Sequence, residues 1–84
     1  MSGSKKIEAR APMSGVFYRS PEPDQPPYVE VGDKVKKKQV IALLETMKVF
    51  QKVKSPANGT VVEILPENEQ ALKDDELMFV LEAD

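Results

Sequence analysis

Lys48 stands between two apolar runs, Val40 to Leu44 and Val49 to Val53, and is preceded by Met47. Two apolar runs around a short break read as a hairpin with Met47 and Lys48 at its tip. The break lacks the Asn-Gly or Asp-Gly pair that normally marks such a turn. A methionine at an exposed turn is unusual for a soluble domain, whereas a lysine there, taken alone, is an ordinary solvated residue. The chain contains no histidine and no cysteine. That removes imidazole general-base chemistry near neutral pH, thiolate nucleophiles, disulfides and the ordinary zinc site. Catalysis would have to run on carboxylates, Lys, Tyr or Ser/Thr, and no paired-acid or nucleophile–base constellation stands out. No catalytic and no metal-ligating residue is therefore assigned.

Eighty-four residues fit one domain. A chain of this size buries only about 60 to 65 % of its unfolded surface, which leaves little core from which to carve a deep substrate cavity. Twelve Lys and Arg against fourteen Asp and Glu give a net charge of −2. Without a basic excess, nucleic acid is not an expected partner. No apolar run approaches the roughly 20 residues of a spanning helix, and no hydrophobic segment follows Met1 to Lys6, so neither a membrane partner nor a signal peptide is expected. The sequence reads as a cytoplasmic carrier, binding or interaction module, with a disordered polar tail over residues 1–6 and one domain over 7–84.

The elements that must position the hairpin are strands. Short apolar runs with β-branched members, punctuated by Gly, Pro, Asn and Asp about every ten residues, predict an all-β fold. Ile7, Ala9 and Ala11 alternate with Glu8 and Arg10, and Val29 and Val31 flank Glu30 as further strand material. Phe50 is expected in the core. The sequence also repeats itself: Ala11-Pro12-Met13-Ser14-Gly15-Val16 matches Ser55-Pro56-Ala57-Asn58-Gly59-Thr60 at an offset of 44 residues, from Gly15 to Gly59. Val35 to Glu45 matches Leu72 to Glu82 at an offset of 37, from Glu45 to Glu82. Two matches in the same order predict two related halves, and the hairpin around Lys48 is the join between them.

Because the offsets differ, the first half carries seven extra residues between Gly15 and Val35. That interval holds Ser20-Pro21-Glu22-Pro23-Asp24-Gln25-Pro26-Pro27, with four of the seven prolines, bracketed by Tyr18 and Tyr28. Proline fixes φ and removes a hydrogen-bond donor, so the segment is no central strand. It reads as a stiff, protruding loop, over about residues 18–28. A tolerated surface insertion is the plainer alternative. The polar turns of the halves also differ: Lys34, Lys36, Lys37 and Lys38 are basic, while Asp74, Asp75 and Glu76 are acidic. Solvated faces are one reading, and patches that orient the domain on a partner are the other.

Glu45-Thr46-Met47-Lys48-Val49, with Ser55-Pro56-Ala57-Asn58-Gly59-Thr60-Val61 downstream, resembles the biotinyl domains of biotin-dependent carboxylases. The resemblance runs from about Ile7 to Glu82. Gly15-Val16-Phe17-Tyr18-Arg19-Ser20-Pro21 and Tyr28-Val29-Glu30-Val31-Gly32-Asp33-Lys34-Val35 look like the thumb-bearing half of the bacterial acetyl-CoA carboxylase carrier family. The resemblance implies a flattened barrel-sandwich hybrid of two pseudo-symmetric four-stranded halves. It also implies covalent biotin on Lys48, and a ligase-recognition turn of Glu45, Thr46, Met47 and Val49. A thumb of Tyr18, Arg19, Ser20, Pro21, Glu22, Pro23, Asp24, Gln25, Pro26, Pro27 and Tyr28 is implied to lean towards the biotin ring. The implied partners are a biotin protein ligase, a biotin carboxylase and a carboxyltransferase, with carboxylate shuttled between the last two. The chain departs from the pattern at Thr46, where such domains usually have Ala or Ser, and at Val49, usually Met. Glu45-Thr46 also occurs before the modified lysine of lipoyl domains, although Met47 replaces their acidic residue. An unmodified binding module, or a lipoyl carrier in a 2-oxo-acid dehydrogenase, are the alternatives.

Overall fold

The computed structural model describes residues 5–84. Eight strands follow one another: β1 (Lys6–Arg10), β2 (Gly15–Tyr18), β3 (Lys34–Val35), β4 (Val40–Glu45), β5 (Phe50–Lys54), β6 (Gly59–Ile64), β7 (Gln70–Leu72) and β8 (Leu77–Ala83). They form two four-stranded antiparallel sheets, in the orders β1-β8-β6-β3 and β5-β4-β2-β7. Among the described residues there is no helix, and so none long and apolar enough to cross a membrane.

The internal repeat becomes a structural two-fold. Advancing each strand number by four, with β5 to β8 returning to β1 to β4, turns one sheet order into the other. Each sheet thus takes two strands from each half, and neither half is a sheet by itself. The relation reaches single hydrogen bonds. The Lys36 amide donates to Gln39 Oε1 at 3.0 Å and the Lys73 amide to Glu76 Oε1 at 2.9 Å. The Lys37 amide donates to Asn58 Oδ1 and the Asp74 amide to Ser14 Oγ. Both sheets also carry an irregularity at the same place, Ala9/Arg10 against β8 and Val40/Ala42 against β5.

The core lies between the sheets and contains Phe17, Val35, Ile41, Leu44, Val61, Met78, Phe79 and Leu81. Phe17 stands where the second half has Val61, and Phe79 where the first half has Ala42. Bulk is exchanged between related positions, and the two rings meet across the core with centroids 5.9 Å apart. Burying such a ring contributes roughly 1.5–3 kcal/mol. That packing, together with the sheet hydrogen bonds, makes a firm platform for whatever the hairpin presents.

Two expectations are corrected. Val29 to Val31 is not a strand: Val29 is buried, Val31 is 61 % exposed, and pairing begins only at Lys34. The chain there is returning from the proline-rich loop and bends at Gly32, whose φ is 99°. The expected tail over residues 1–6 is shortened: residues 1–4 lie outside the described residues, but Lys6 opens β1 opposite Glu82, and the Lys5 carbonyl accepts from the Ala83 amide at 2.8 Å.

Lys38 and its two-fold mate Asp75 both have positive φ, 76° and 69°. Side chains crowd the backbone there by roughly 1–2 kcal/mol, which glycine avoids while adding entropy to the unfolded chain. Lys38→Gly is therefore expected to stabilise the domain by about 0.5 kcal/mol, read from the urea midpoint at unchanged slope.

Candidate functional site: the Lys48 hairpin and the loop beside it

β4 and β5 keep register up to the pair Glu45 and Phe50, leaving Thr46, Met47, Lys48 and Val49 as the turn. The Thr46 amide donates to the Val49 carbonyl at 2.9 Å. Thr46 Oγ1 donates to the same carbonyl at 3.1 Å and accepts from the amides of Val49 at 3.3 Å and Lys48 at 3.5 Å. Met47 is fully exposed, Lys48 and Val49 are exposed, and Thr46 and Glu45 are half-buried. Among the described residues Lys48 has no ion-pair partner; the one salt bridge there joins Arg10 to Glu8. An unpaired lysine beside a bare methionine leaves an amine open to an incoming active site.

Behind the turn, β2 lies next to β4, with Val16 opposite Glu45 and Tyr18 opposite Leu43. The Tyr18 hydroxyl donates to Glu45 Oε1 at 2.9 Å, and the Tyr18 ring packs on Phe50 with centroids 6.0 Å apart at 58°. Phe50 is 58 % exposed, which overturns its expected place in the core. Strand alternation explains the difference: Val53 takes the inward position on β5, and Phe50 lies on the outer face against Tyr18. The bond to Glu45, aided by partial burial, raises the Tyr18 phenol above its ordinary value near 10. A raised value means that the linked stabilisation is complete below the ordinary one and is lost as pH climbs through the raised one. Glu45→Gln is expected to lower the Tyr18 midpoint towards 10 in an ultraviolet titration; an unmoved midpoint would show that the carboxylate does not set it.

The proline-rich loop leaves the sheet directly after Tyr18. The Tyr28 amide donates to the Arg19 carbonyl at 2.7 Å and closes its neck, while Arg19 Nη2 reaches the Val29 carbonyl at 3.2 Å. Asn68 Oδ1 accepts from the Arg19 amide at 2.8 Å, tying the neck to the segment before β7. Within the loop, Ser20 Oγ donates to the Glu22 carbonyl at 2.8 Å and the Gln25 amide bonds the same carbonyl at 3.1 Å. Pro21, Glu22, Pro23, Asp24, Gln25 and Pro26 are exposed, and Pro27 and Tyr28 are half-buried. Between the loop and the outer face of the sheet lies a cavity of about 150 Å³, walled by Tyr18, Pro21, Pro23, Leu43, Phe50 and Glu69. Phe50, Asn68 and Glu69 were not among the expected site residues. Only the exposed aromatic at the start of β5 could have signalled them.

The same connectivity places the charged turns. Gly15, next to Ser14, abuts the Glu45 carbonyl, so the acidic turn held by Ser14 lies at the hairpin end. Lys38 and Gln39 bond Ser55 at the start of β4, and Lys37 bonds Asn58, so the basic turn lies at the opposite end.

Two interleaved halves joined by a hairpin within one sheet, with an exposed lysine at its tip, define a barrel-sandwich domain of two pseudo-symmetric halves. The chain belongs to the biotin–lipoyl family, whose model, described as "Biotin-requiring enzyme", matches residues 7–81. It is 44 % identical over 73 residues to the chloroplastic biotin carboxyl carrier protein of acetyl-CoA carboxylase from Glycine max, covering 87 % of this chain and 28 % of that protein. It is 44 % identical over 63 residues to the biotin carboxyl carrier protein of acetyl-CoA carboxylase from Streptococcus pyogenes, covering 75 % and 38 %. The corresponding Haemophilus influenzae protein is 38 % identical over 73 residues, covering 87 % and 47 %. The chain thus spans less than half the length of each of these relatives. A single-chain, multi-domain long-chain acyl-CoA carboxylase shares the fold, with a TM-score of 0.79 at 16 % identity over 94 % of this chain and 7 % of that one.

Proposed function

We propose that this chain is the biotin-carrying domain of an acetyl-CoA carboxylase, a non-catalytic carrier loaded on Lys48 by a biotin protein ligase. The observation that carries this reading is the Met47-Lys48 tip, bare to solvent on a hairpin braced from behind by Tyr18, Glu45 and Phe50. An exposed ammonium is not a nucleophile at neutral pH, so the ligase must remove a proton as it presents an activated biotinyl group. The Lys48 nitrogen then forms an amide bond, the bond from the acyl carbon to its activating group breaks, and the proton passes to the ligase or solvent. Biotin held there supplies a ureido nitrogen that carries carboxylate from a biotin carboxylase to a carboxyltransferase serving acetyl-CoA. The chain's own part is placement: one attachment point on a firm platform, with tethering raising effective concentration at both partners.

The loop over residues 18–28 acts in this reading as a thumb over the biotin ring. Its support is the closed neck between Arg19 and Tyr28 and the apolar cavity beneath it, on the face that also holds Phe50. Intact mass after co-expression with a biotin protein ligase tests the reading. One biotinyl group per chain is expected. An unchanged mass, or a lipoyl adduct formed in cells that hold both ligases, would overturn it.

A further inference from the structure

The turn that presents Lys48 is closed by a side chain where a tight hairpin uses backbone. Two-residue turns that match sheet twist need positive φ at one or both of their central residues. Among the described non-glycine residues only Lys38, Glu69 and Asp75 have it, so Met47 and Lys48 do not. The Thr46 amide still reaches the Val49 carbonyl, but the return bond from the Val49 amide goes to Thr46 Oγ1 at 3.3 Å. The same oxygen takes the Lys48 amide at 3.5 Å and gives its proton to the Val49 carbonyl at 3.1 Å. One hydroxyl therefore ties together both sides of the turn and the modifiable residue between them. Such local hydroxyl-to-backbone bonds are what Thr offers and Ala cannot.

We propose that Thr46 is a positioning residue for acylation of Lys48: its hydroxyl holds the turn in the single conformation that a ligase accepts, before the two proteins meet. The proposal rests on the reading of Lys48 as the acylated amine. Without the hydroxyl the turn samples several shapes, and apparent affinity falls by the fraction of time spent in the competent one. Losing one net hydrogen bond, about 1 kcal/mol, lowers the ratio of the competent shape to the others roughly fivefold.

The test compares wild type, Thr46→Val, which keeps the branched shape, and Thr46→Ser, which keeps the hydroxyl. Each is assayed as substrate of a biotin protein ligase, and amide hydrogen exchange at Lys48 and Val49 is measured on the unmodified domain. Thr46→Val is expected to raise KM, by up to about fivefold, at unchanged kcat and to speed exchange at both amides. Thr46→Ser is expected to restore both. A contribution to global stability alone would lower the melting temperature and leave KM at wild-type level well below it. Wild-type KM and exchange in Thr46→Val, or failure of Thr46→Ser to rescue, overturns the proposal while the reading of Lys48 stands. A wild type that takes no biotin overturns both.

Discussion

Lys48→Arg is expected to abolish covalent biotin loading and leave the fold intact. Arginine keeps the positive charge and nearly the length of the side chain, but its guanidinium holds its proton above about pH 12 and offers no free amine for amide formation. Because Lys48 is exposed and unpaired among the described residues, its replacement is expected to change stability by no more than about 0.5 kcal/mol. The other lysines in the described region do not replace it. Lys5 directly precedes β1, Lys6, Lys34, Lys52 and Lys54 lie in strands, and Lys36, Lys37, Lys38 and Lys73 flank turns with no bare methionine and no join between the halves. Streptavidin binding and peptide mapping after co-expression with a ligase provide the check. Loading of Lys48→Arg at wild-type level would move the site elsewhere.

Gly59→Ala is expected to destabilise the domain by about 3 kcal/mol. A Cβ on Gly59 would press into the Glu82 carbonyl and lie 3.0 Å from its carbon. Those atoms are backbone in the middle of a sheet, held by the Thr60 and Glu82 register, and cannot rotate aside. Gly15, its two-fold mate, would meet the Glu45 carbonyl at 2.7 Å, so Gly15→Ala should follow the same direction with a smaller cost. In a domain of this size 3 kcal/mol lowers the melting temperature by roughly 12–24 °C. Circular-dichroism melts check this, and a fall below about 3 °C would mean that the sheet opens more easily than its packing implies. Gly59 lies at the end away from the hairpin, so Lys48 loading well below the melting temperature should be unchanged.

The hairpin was legible because apolar runs and an internal repeat are local properties of the chain. The repeat even located the extra loop: between Gly15 and Val35 the first half has seven residues more than the second has between Gly59 and Leu72. Interleaving of the halves was not legible, since a repeat states which segments are alike and not which pair with which. Val29 and Val31 misled for a related reason. Alternation is the strand signal, yet here it belongs to a segment re-entering from a loop, with one valine inside and the other in solvent. Phe50 misled because aromatic bulk is normally buried, and the outer-face contact with Tyr18 depends on β2 lying beside β4. The hydroxyl clasp of Thr46 was hidden altogether, because side-chain hydrogen bonds in a turn depend on backbone angles that composition does not report.

The central claim is that this domain presents biotin on Lys48 to a carboxylase. Its most direct test is transfer of labelled bicarbonate to the purified, biotin-loaded domain by a biotin carboxylase in the presence of ATP. The account predicts acid-labile label on the domain in proportion to its biotin content, and none on Lys48→Arg. A fully loaded domain that takes up no label would contradict it.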